Sequence, residues 1–316
     1  MTRNATGGPT IVYGQKPTTN SYPGGGEYNN DASLSMFYAG VGFMDPRYGY
    51  FESNGDNPNT VGFQGSTYIP TINAAPSTAS TSILAASQTP TANTALTLAT
   101  ASTTGLSVLS AALTVLPSNN TVASGALAID GAPTTVVYRT SGTGASVGGV
   151  QVYDPTKAIA RNIRIYTTGP DTAGSYLVSG YDLYGYPMTE GIAGTTNAAG
   201  ATLSGAKAFK FVTSVVPKGT IGSTTVAVGT GDVIGFPMRA DGMGDVAINF
   251  NATAITASTG FTAAVTTSPA TSSTGDVRGT YSLQTASNGV RVLQVFQTPR
   301  AANLNSVTGL FGVTQA

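Results

Sequence analysis

The sequence predicts an all-β protein: antiparallel β-sandwich or jelly-roll-like modules behind an extended, irregular N-terminal arm. Three observations carry that expectation. Short runs alternate apolar and polar residues with period two, as strands with one buried face do. Gly, Pro, Asn or Asp closes nearly every run and supplies the turns between them. No stretch joins a 3.6-residue apolar period to helix caps. Short strands broken by frequent turns favour a sandwich or jelly roll over other β architectures.

The chain has 316 residues, enough to bury a substantial core in one large or two medium β domains. Apolar content is ordinary at 41%, but charged residues make up only 9%, against about 25% in typical soluble domains. Gly, Ala, Ser and Thr fill the gap, so the surface is expected to be hydrated by hydroxyls and backbone rather than by ions. Fourteen basic and fourteen acidic residues cancel. No net field steers the chain toward nucleic acid or an acidic membrane, and neither is expected as a partner. Few charges and no net charge suit a subunit held in an assembly better than a free, concentrated monomer. There is no Cys, His or Trp. That excludes disulfides, thiolate chemistry and a Ser-His-Asp triad, and removes the commonest metal ligand. The opening MTRNATGGPT lacks the apolar stretch of a secretion signal. No apolar run approaches the roughly 18 residues of a membrane helix.

Residues 1–73 are rich in Gly, Asn, Pro and aromatic residues, interrupted by turn formers such as Pro23-Gly24-Gly25-Gly26 and Asp45-Pro46. Aromatics without periodicity describe an arm ordered by what it lies on. That surface is either its own domain or a neighbouring subunit. In the second case Tyr38, Phe43, Tyr48, Tyr50 and Phe51 are the candidate partner contacts, because amphipathic rings are favoured at interfaces. Residues 74–92, almost all Ala, Ser, Thr and Pro, read as a linker. A main β domain is expected over 93–240. A second β region with a C-terminal tail follows over 241–316, separate or part of the same domain. In the main domain, TALTLAT alternates weakly and VASGALAID carries strand formers. GLSVLSAALTVLP reads as strand from its Thr, Ser and Val content and bounding Gly105 and Pro117, with an Ala/Leu helix as the alternative. TTVVYRT and VQVYDPT are further strands.

Residues 159–237 hold the clearest signals, four strand-like runs closed by turns. Ile159, Arg161, Ile163 and Ile165 share one face of the first, with Asn162 and Arg164 on the other. Tyr176 and Val178 alternate with Leu177 and Ser179. Lys207, Phe209 and Phe211 oppose Lys210. Val226 and Val228 alternate with Ala227. Gly169-Pro170-Asp171, Gly185-Tyr186-Pro187 and Gly229-Thr230-Gly231-Asp232 read as turns. Beyond them DVAINFNATAI, FTAAVTT, VRGTYSL and GVRVLQVFQTP continue the β pattern.

Few motifs survive testing for chemistry. Gly229 to Gly235 resembles a nucleotide loop but has one residue too many for G-x-G-x-x-G and no following Lys-Ser/Thr, so no cofactor is expected. Asp241 and Asp245 flank Gly-Met-Gly and offer oxygens of the kind calcium takes. They do not match an EF-hand, and a solvated turn explains them equally. Asp182 and Glu190 are a carboxylate pair of the sort glycosidases use, in a chain where such pairs arise by chance. Lys157, Arg161, Arg164, Lys207, Lys210 and Lys218 form the one basic concentration. It reads as strand-edge solubility or as a contact for an acidic protein. Tyr181, Tyr184 and Tyr186 suggest sugar stacking, or strand packing and turn chemistry. The sum is a non-enzymatic protein.

The runs DPTKAIARNIRI, SGYDLYGYPMTEGI, GAKAFKFVTSVVPKGT, VGTGDVIGFP, VRGTYSLQTASNGVRVLQVF and SVTGLFGVTQA carry a resemblance. In combination, over roughly residues 95–316, they are similar to a family of tailed-bacteriophage virion structural proteins. The resemblance implies a protein made in the host cytoplasm and built into the virion, on the head exterior. There it would be a decoration or cement protein bound to the major capsid protein, with a homotrimer favoured by capsid symmetry. A tail, collar or fibre component, or a carbohydrate-binding adhesin, is the alternative.

Overall fold

The computed structural model describes residues 50–52, 66–68, 70–115, 120–133, 155–171, 173–222, 225–255 and 259–297. The first strands in chain order are β1 (Tyr50–Glu52), β2 (Ser66–Tyr68), β3 (Pro70–Ala74), β4 (Ala85–Gln88), β5 (Leu106–Val108), β6 (Leu113–Val115), β7 (Asn120–Val122) and β8 (Leu127–Ile129). The long strands follow: β9 (Arg161–Thr167), β10 (Ala173–Tyr181), β11 (Pro187–Ala193), β12 (Thr202–Phe209), β13 (Phe211–Thr220) and β14 (Val226–Gly235). The last are β15 (Val246–Phe250), β16 (Thr253–Ile255), β17 (Phe261–Thr262), β18 (Thr280–Ser282) and β19 (Leu293–Gln297). Among the described residues helical structure is limited to single 3-10 turns at Pro155–Lys157 and Met243–Asp245. The all-β, antiparallel expectation is met.

Two sheets face each other. One has the order β11-β10-β13-β8-β5. The other runs β12-β9-β14-β18-β17, with β4 added on β14. Their facing side chains share one core: Leu127, Tyr176, Val178, Met188, Val212 and Val215 from the first, Ile163, Ile165, Phe209, Val226 and Val228 from the second. That sandwich follows from period two, since each strand sends alternate residues inward. Thus in β10 Tyr176 and Val178 are buried while Leu177 and Ser179 are half-buried. A further sheet, β16-β15-β19-β3, buries Ile248, Phe250, Leu293, Val295 and Ile72. Thr71–Pro133 and Pro155–Val295 belong to one compact unit, which joins most of 93–240 to 241–295. Strands β1 and β2 belong to a second unit and pair with each other, Phe51 opposite Thr67.

The structure departs from the sequence reading in several places, each for a packing reason. The 74–92 segment is not a linker. Leu84 and Ala85 are fully buried in the shared core, and β4 pairs with β14. Small residues belong here because the chain crosses β14 at Gly229, where a Cβ would strike the Ser80 carbonyl. The arm boundary also moves, because Thr71 and Ile72 are buried and Thr71 Oγ1 donates to the Val295 carbonyl at 3.1 Å. The strand reading of GLSVLSAALTVLP, by contrast, holds: Leu106–Val108 and Leu113–Val115 are β5 and β6. Six strands rather than four fill 159–237, since Pro187–Ala193 is itself a strand and the run through Lys207, Phe209 and Phe211 divides at Lys210 into β12 and β13. Gly229-Thr230-Gly231-Asp232 is no turn but the middle of β14, with a register shift against β9 between Thr230 and Ile234. A bulge there needs residues without side chains, because a Cβ on Gly231 would overlap the Asn162 carboxamide. TTVVYRT, most of VQVYDPT and the C-terminal SVTGLFGVTQA lie outside the described residues.

Burial of Leu84 gives a direct test of the segment's role. Leu84→Ala should cost about 2–5 kcal/mol of folding stability, read as a lower urea midpoint with unchanged slope. A solvated linker would tolerate the change at no cost.

Candidate functional site

Three buried polar centres hold the main unit together, and their chemistry starts from one fact. Among the residues with described side-chain burial, Asp241 is the only charged residue that is exposed; most of the rest are inside. Charge taken out of water must be paired or hydrogen-bonded to be tolerated, so each buried ion defines a fixed geometry around itself.

The first centre is Arg161 at the start of β9. Its guanidinium is fully buried. Nε donates to the Gly231 carbonyl at 2.7 Å, and Nη1 donates to the Ser77 carbonyl at 2.6 Å and to Asp130 Oδ2 at 3.3 Å. Nη2 donates to Asp232 Oδ1 at 2.9 Å and to Ser287 Oγ at 3.1 Å. The Ser287 hydroxyl lies 2.6 Å from Asp232 Oδ1 and 2.7 Å from the Ser77 carbonyl. Asp130 Oδ1 accepts from the Ser77 amide at 3.0 Å. One side chain therefore joins four distant segments, around residues 77, 130, 231–232 and 287. Arg161 lies on the Ile163 and Ile165 face as alternation requires, but as an internal tie rather than a surface charge.

The second centre is the β10–β11 corner. Asp182 Oδ1 accepts from the Tyr184 amide at 2.8 Å and the Tyr186 amide at 2.9 Å, a self-bonded Asx-type turn closed by Gly185 at φ 74°. Asp182 Oδ2 accepts from Arg278 Nη2 at 3.0 Å, and Arg278 Nε donates to the Phe236 carbonyl at 3.2 Å. The Arg278 guanidinium stands 5.3 Å from the centre of the Tyr184 ring, whose hydroxyl donates to the Pro237 carbonyl at 2.7 Å. Burial pushes the Asp182 carboxyl above its ordinary range, and Arg278 opposes that push.

The third centre lies where β11 and β12 meet. Glu190 Oε1 accepts from the Ala206 amide at 2.6 Å and the Lys207 amide at 2.8 Å. Asp276 Oδ2 accepts from the next amide, Ala208, at 3.0 Å. Lys207 Nζ donates to the Thr271 carbonyl at 2.9 Å. Burial raises Glu190 to about 7, and the two amides and Lys207 only partly offset it. Burial also lowers the Lys207 ammonium, with Glu190 and Asp276 opposing.

The residues singled out in the sequence fall into these centres or away from any site. The basic group divides: Arg161, Lys207 and Lys210 are fully buried, while Lys157, Arg164 and Lys218 are half-buried. Lys210 Nζ donates to the Ile129 and Ile159 carbonyls at 2.8 and 2.9 Å. Such lysines cannot meet an acidic partner. Asp182 and Glu190 each serve a separate structural centre. Asp241 accepts two bonds from Arg239, at 2.8 and 2.7 Å, and Asp245 Oδ2 accepts from the Asp241 and Gly242 amides. Among the described residues no group of three or more acidic side chains is arranged to hold a metal ion. Tyr184 is buried, Tyr181 packs beside Phe211, and only Tyr186 is exposed, so the three tyrosines do not form one stacking face. Tyr38, Phe43 and Tyr48 lie outside the described residues. Tyr50 and Phe51 lie on β1, where the backbone pairs with Tyr68 and Thr67. Sequence reasoning missed Asp130, Ser77, Ser287 and Asp276. Each lies in an irregular segment, and no local pattern marks its distant partner.

No family model, curated protein or solved structure matches the chain.

Arg161→Met should cost about 3–5 kcal/mol, because Asp130 and Asp232 would lose their counter-charge in a desolvated site. Arg161→Lys should recover little of it, since an ammonium cannot reach the fork of partners the guanidinium fills. Urea titration of both variants against wild type measures the difference.

Proposed function

We propose that this chain is a non-enzymatic structural protein of a tailed-phage particle, most specifically a decoration or cement protein on the outside of the major capsid lattice. The observation that carries the reading is where the residues of the resemblance lie. DPTKAIARNIRI holds Arg161; SGYDLYGYPMTEGI holds Asp182 and Glu190; GAKAFKFVTSVVPKGT holds Lys207 and Lys210; VGTGDVIGFP holds Asp232; VRGTYSLQTASNGVRVLQVF holds Arg278 and Ser287. Most of the charged residues of these runs are thus ties inside a β body. A protein whose specificity lies in its framework is better suited to bearing load than to turning over a substrate.

The surface agrees with that role. Around the sandwich it is dominated by Ser, Thr, Ala and Gly, with the charges drawn inside. Docking such a surface on a capsomer would desolvate few ions, so association would depend on shape and many neutral hydrogen bonds. Repeated weak contacts around a symmetric shell add through avidity, and a homotrimer fits the local axes of a capsid. The same body would serve in a tail, collar or fibre, and only copy number separates the two.

Purified particles give the test. A stained gel calibrated on the major capsid protein should give hundreds of copies per particle, with density on the head in a reconstruction. Six or twelve copies, or density confined to the tail, would replace the head reading with the tail one. Removal of residues 1–70 should lower particle occupancy while leaving the urea midpoint of the β body within about 0.5 kcal/mol of the intact chain. A truncated chain that fails to fold would make those residues core.

A further inference from the structure

The third buried centre carries a consequence for the whole sandwich, independent of the particle assignment. Strand β11 is the end strand of one sheet and β12 the end strand of the other. Where they meet, the β12–β9 ladder shifts register between Ser204 and Ala208. Beside that shift three successive amides, those of residues 206, 207 and 208, donate to side chains. Two carboxylates take them, Glu190 the first two and Asp276 the third. The segment 271–276 then straps both strands: Gly191 donates its amide to the Ser272 carbonyl at 2.8 Å, and Lys207 Nζ donates to the Thr271 carbonyl. The seam between the sheets is closed by side chains rather than by a continuous ladder.

Glu190 is the asymmetric member of this seam. Oε1 has two partners, but Oε2 is buried with none. It sits against the Cα of Gly205, where any Cβ would overlap it. The charged groups that act on Glu190 are Lys207 from β12, which favours its ionised form, and Asp276 from the strap, which opposes it. Asp276 in turn is held by the Ala208 and Arg278 amides.

We propose that Glu190 is a proton-operated latch on this seam: protonated, it holds the strap and the two sheet edges closed, and ionised, it favours an opened seam in which Oε2 reaches water. The reason is solvation. An unpartnered neutral O–H in a dry site costs far less than an unpartnered carboxylate oxygen. Opening restores water to that oxygen and removes the penalty.

The sign follows from linkage. The closed seam keeps Glu190 at about 7, whereas an opened one returns it toward its ordinary 4.5. Between those values the open form binds fewer protons, so closure weakens as pH rises, about tenfold per unit. Below 4.5 closure is at its strongest, and above about 7 the loss levels off.

Two measurements on the full-length chain test the latch. Glu27, Glu52 and Glu190 are the only glutamates, so 13C labelling of glutamate gives three carboxyl signals. One should titrate near 7. Three midpoints near 4.5 would overturn the proposal. Amide exchange, corrected for its intrinsic pH dependence, should show Ala206, Lys207 and Gly191 losing protection about tenfold per unit from pH 5 to 7 and levelling above. Leu177 and Val215, in the centre of the facing sheet, should not follow. Protection that is flat at the seam, or that falls equally everywhere, would sink it. Glu190→Gln should abolish the pH dependence at the seam. If that variant does not fold, the carboxyl titration and wild-type exchange decide alone. If Asp276→Asn rather than Glu190→Gln flattens the profile, the latch is misassigned.

Discussion

The guanidinium of Arg161 constrains more of this structure than any other single group. Moving such an ion out of water costs several kcal/mol even after relaxation, and only a nearly complete set of acceptors makes that tolerable. The acceptors come from carbonyls at Ser77 and Gly231, carboxylates at Asp130 and Asp232 and the hydroxyl of Ser287. None of these lies next to another in sequence except Gly231 and Asp232. The segments around Ser77 and Ser287 are irregular, with no ladder to hold them. Their positions are instead set by the planar fork of five donors that they must satisfy together. A hydrophobic residue in the same place could contribute as much stability, but it would not dictate where four separate segments go.

The same logic, repeated at Asp182–Arg278 and at Lys210, inverts the usual distribution of charge. Among the described residues most ions are inside and hydroxyls outside. Long charged side chains that would otherwise keep the surface wet and mutually repulsive are used as internal ties. The exterior is left hydrated by short, stiff Ser and Thr side chains, which lose little rotamer entropy when another surface covers them. Internal ion pairs also become less costly relative to water as temperature rises, whereas apolar burial gains nothing further. A body tied in this way resists softening when heated, which suits a protein that must keep its shape rather than change it.

Strand periodicity in the sequence was legible wherever one face meets the core and the other meets solvent. β10 is the clear case, with Tyr176 and Val178 in and Leu177 and Ser179 toward solvent. Legibility failed where both faces are covered. β9 places Arg161 and Asn162 side by side and buries both, so alternation stops describing exposure. Lys207 and Lys210 look like surface residues because lysine usually is one; nothing local signals that carbonyls at Thr271, Ile129 and Ile159 wait for them. The apparent linker failed for the opposite reason. Its Ala and Ser residues look uncommitted, yet small size is what allows the chain to lie against Gly229 while Leu84 fills the core. Of the candidate site, Glu190, Asp182 and the basic residues could be picked out by type. Their roles depend on contacts 16 to 126 residues away and could not.

The abundance of glycine and the burial of charge are one design seen from two sides. A buried carboxylate or carboxamide needs space beside the backbone that donates to it, and a Cβ at that point removes the space. Gly205 leaves room for Glu190 Oε2, and Gly231 leaves room for the Asn162 carboxamide, which bonds the Gly205 carbonyl and the Val233 amide. Gly180 does the same for a backbone carbonyl, letting β10 shift register against β13 at Phe211. Each such glycine raises the entropy of the unfolded chain and so weakens the fold. That loss is accepted at the points where a polar group must come within bonding distance of a strand. The result is a sandwich whose bulges are not defects in the ladder but the ports through which its charges are anchored.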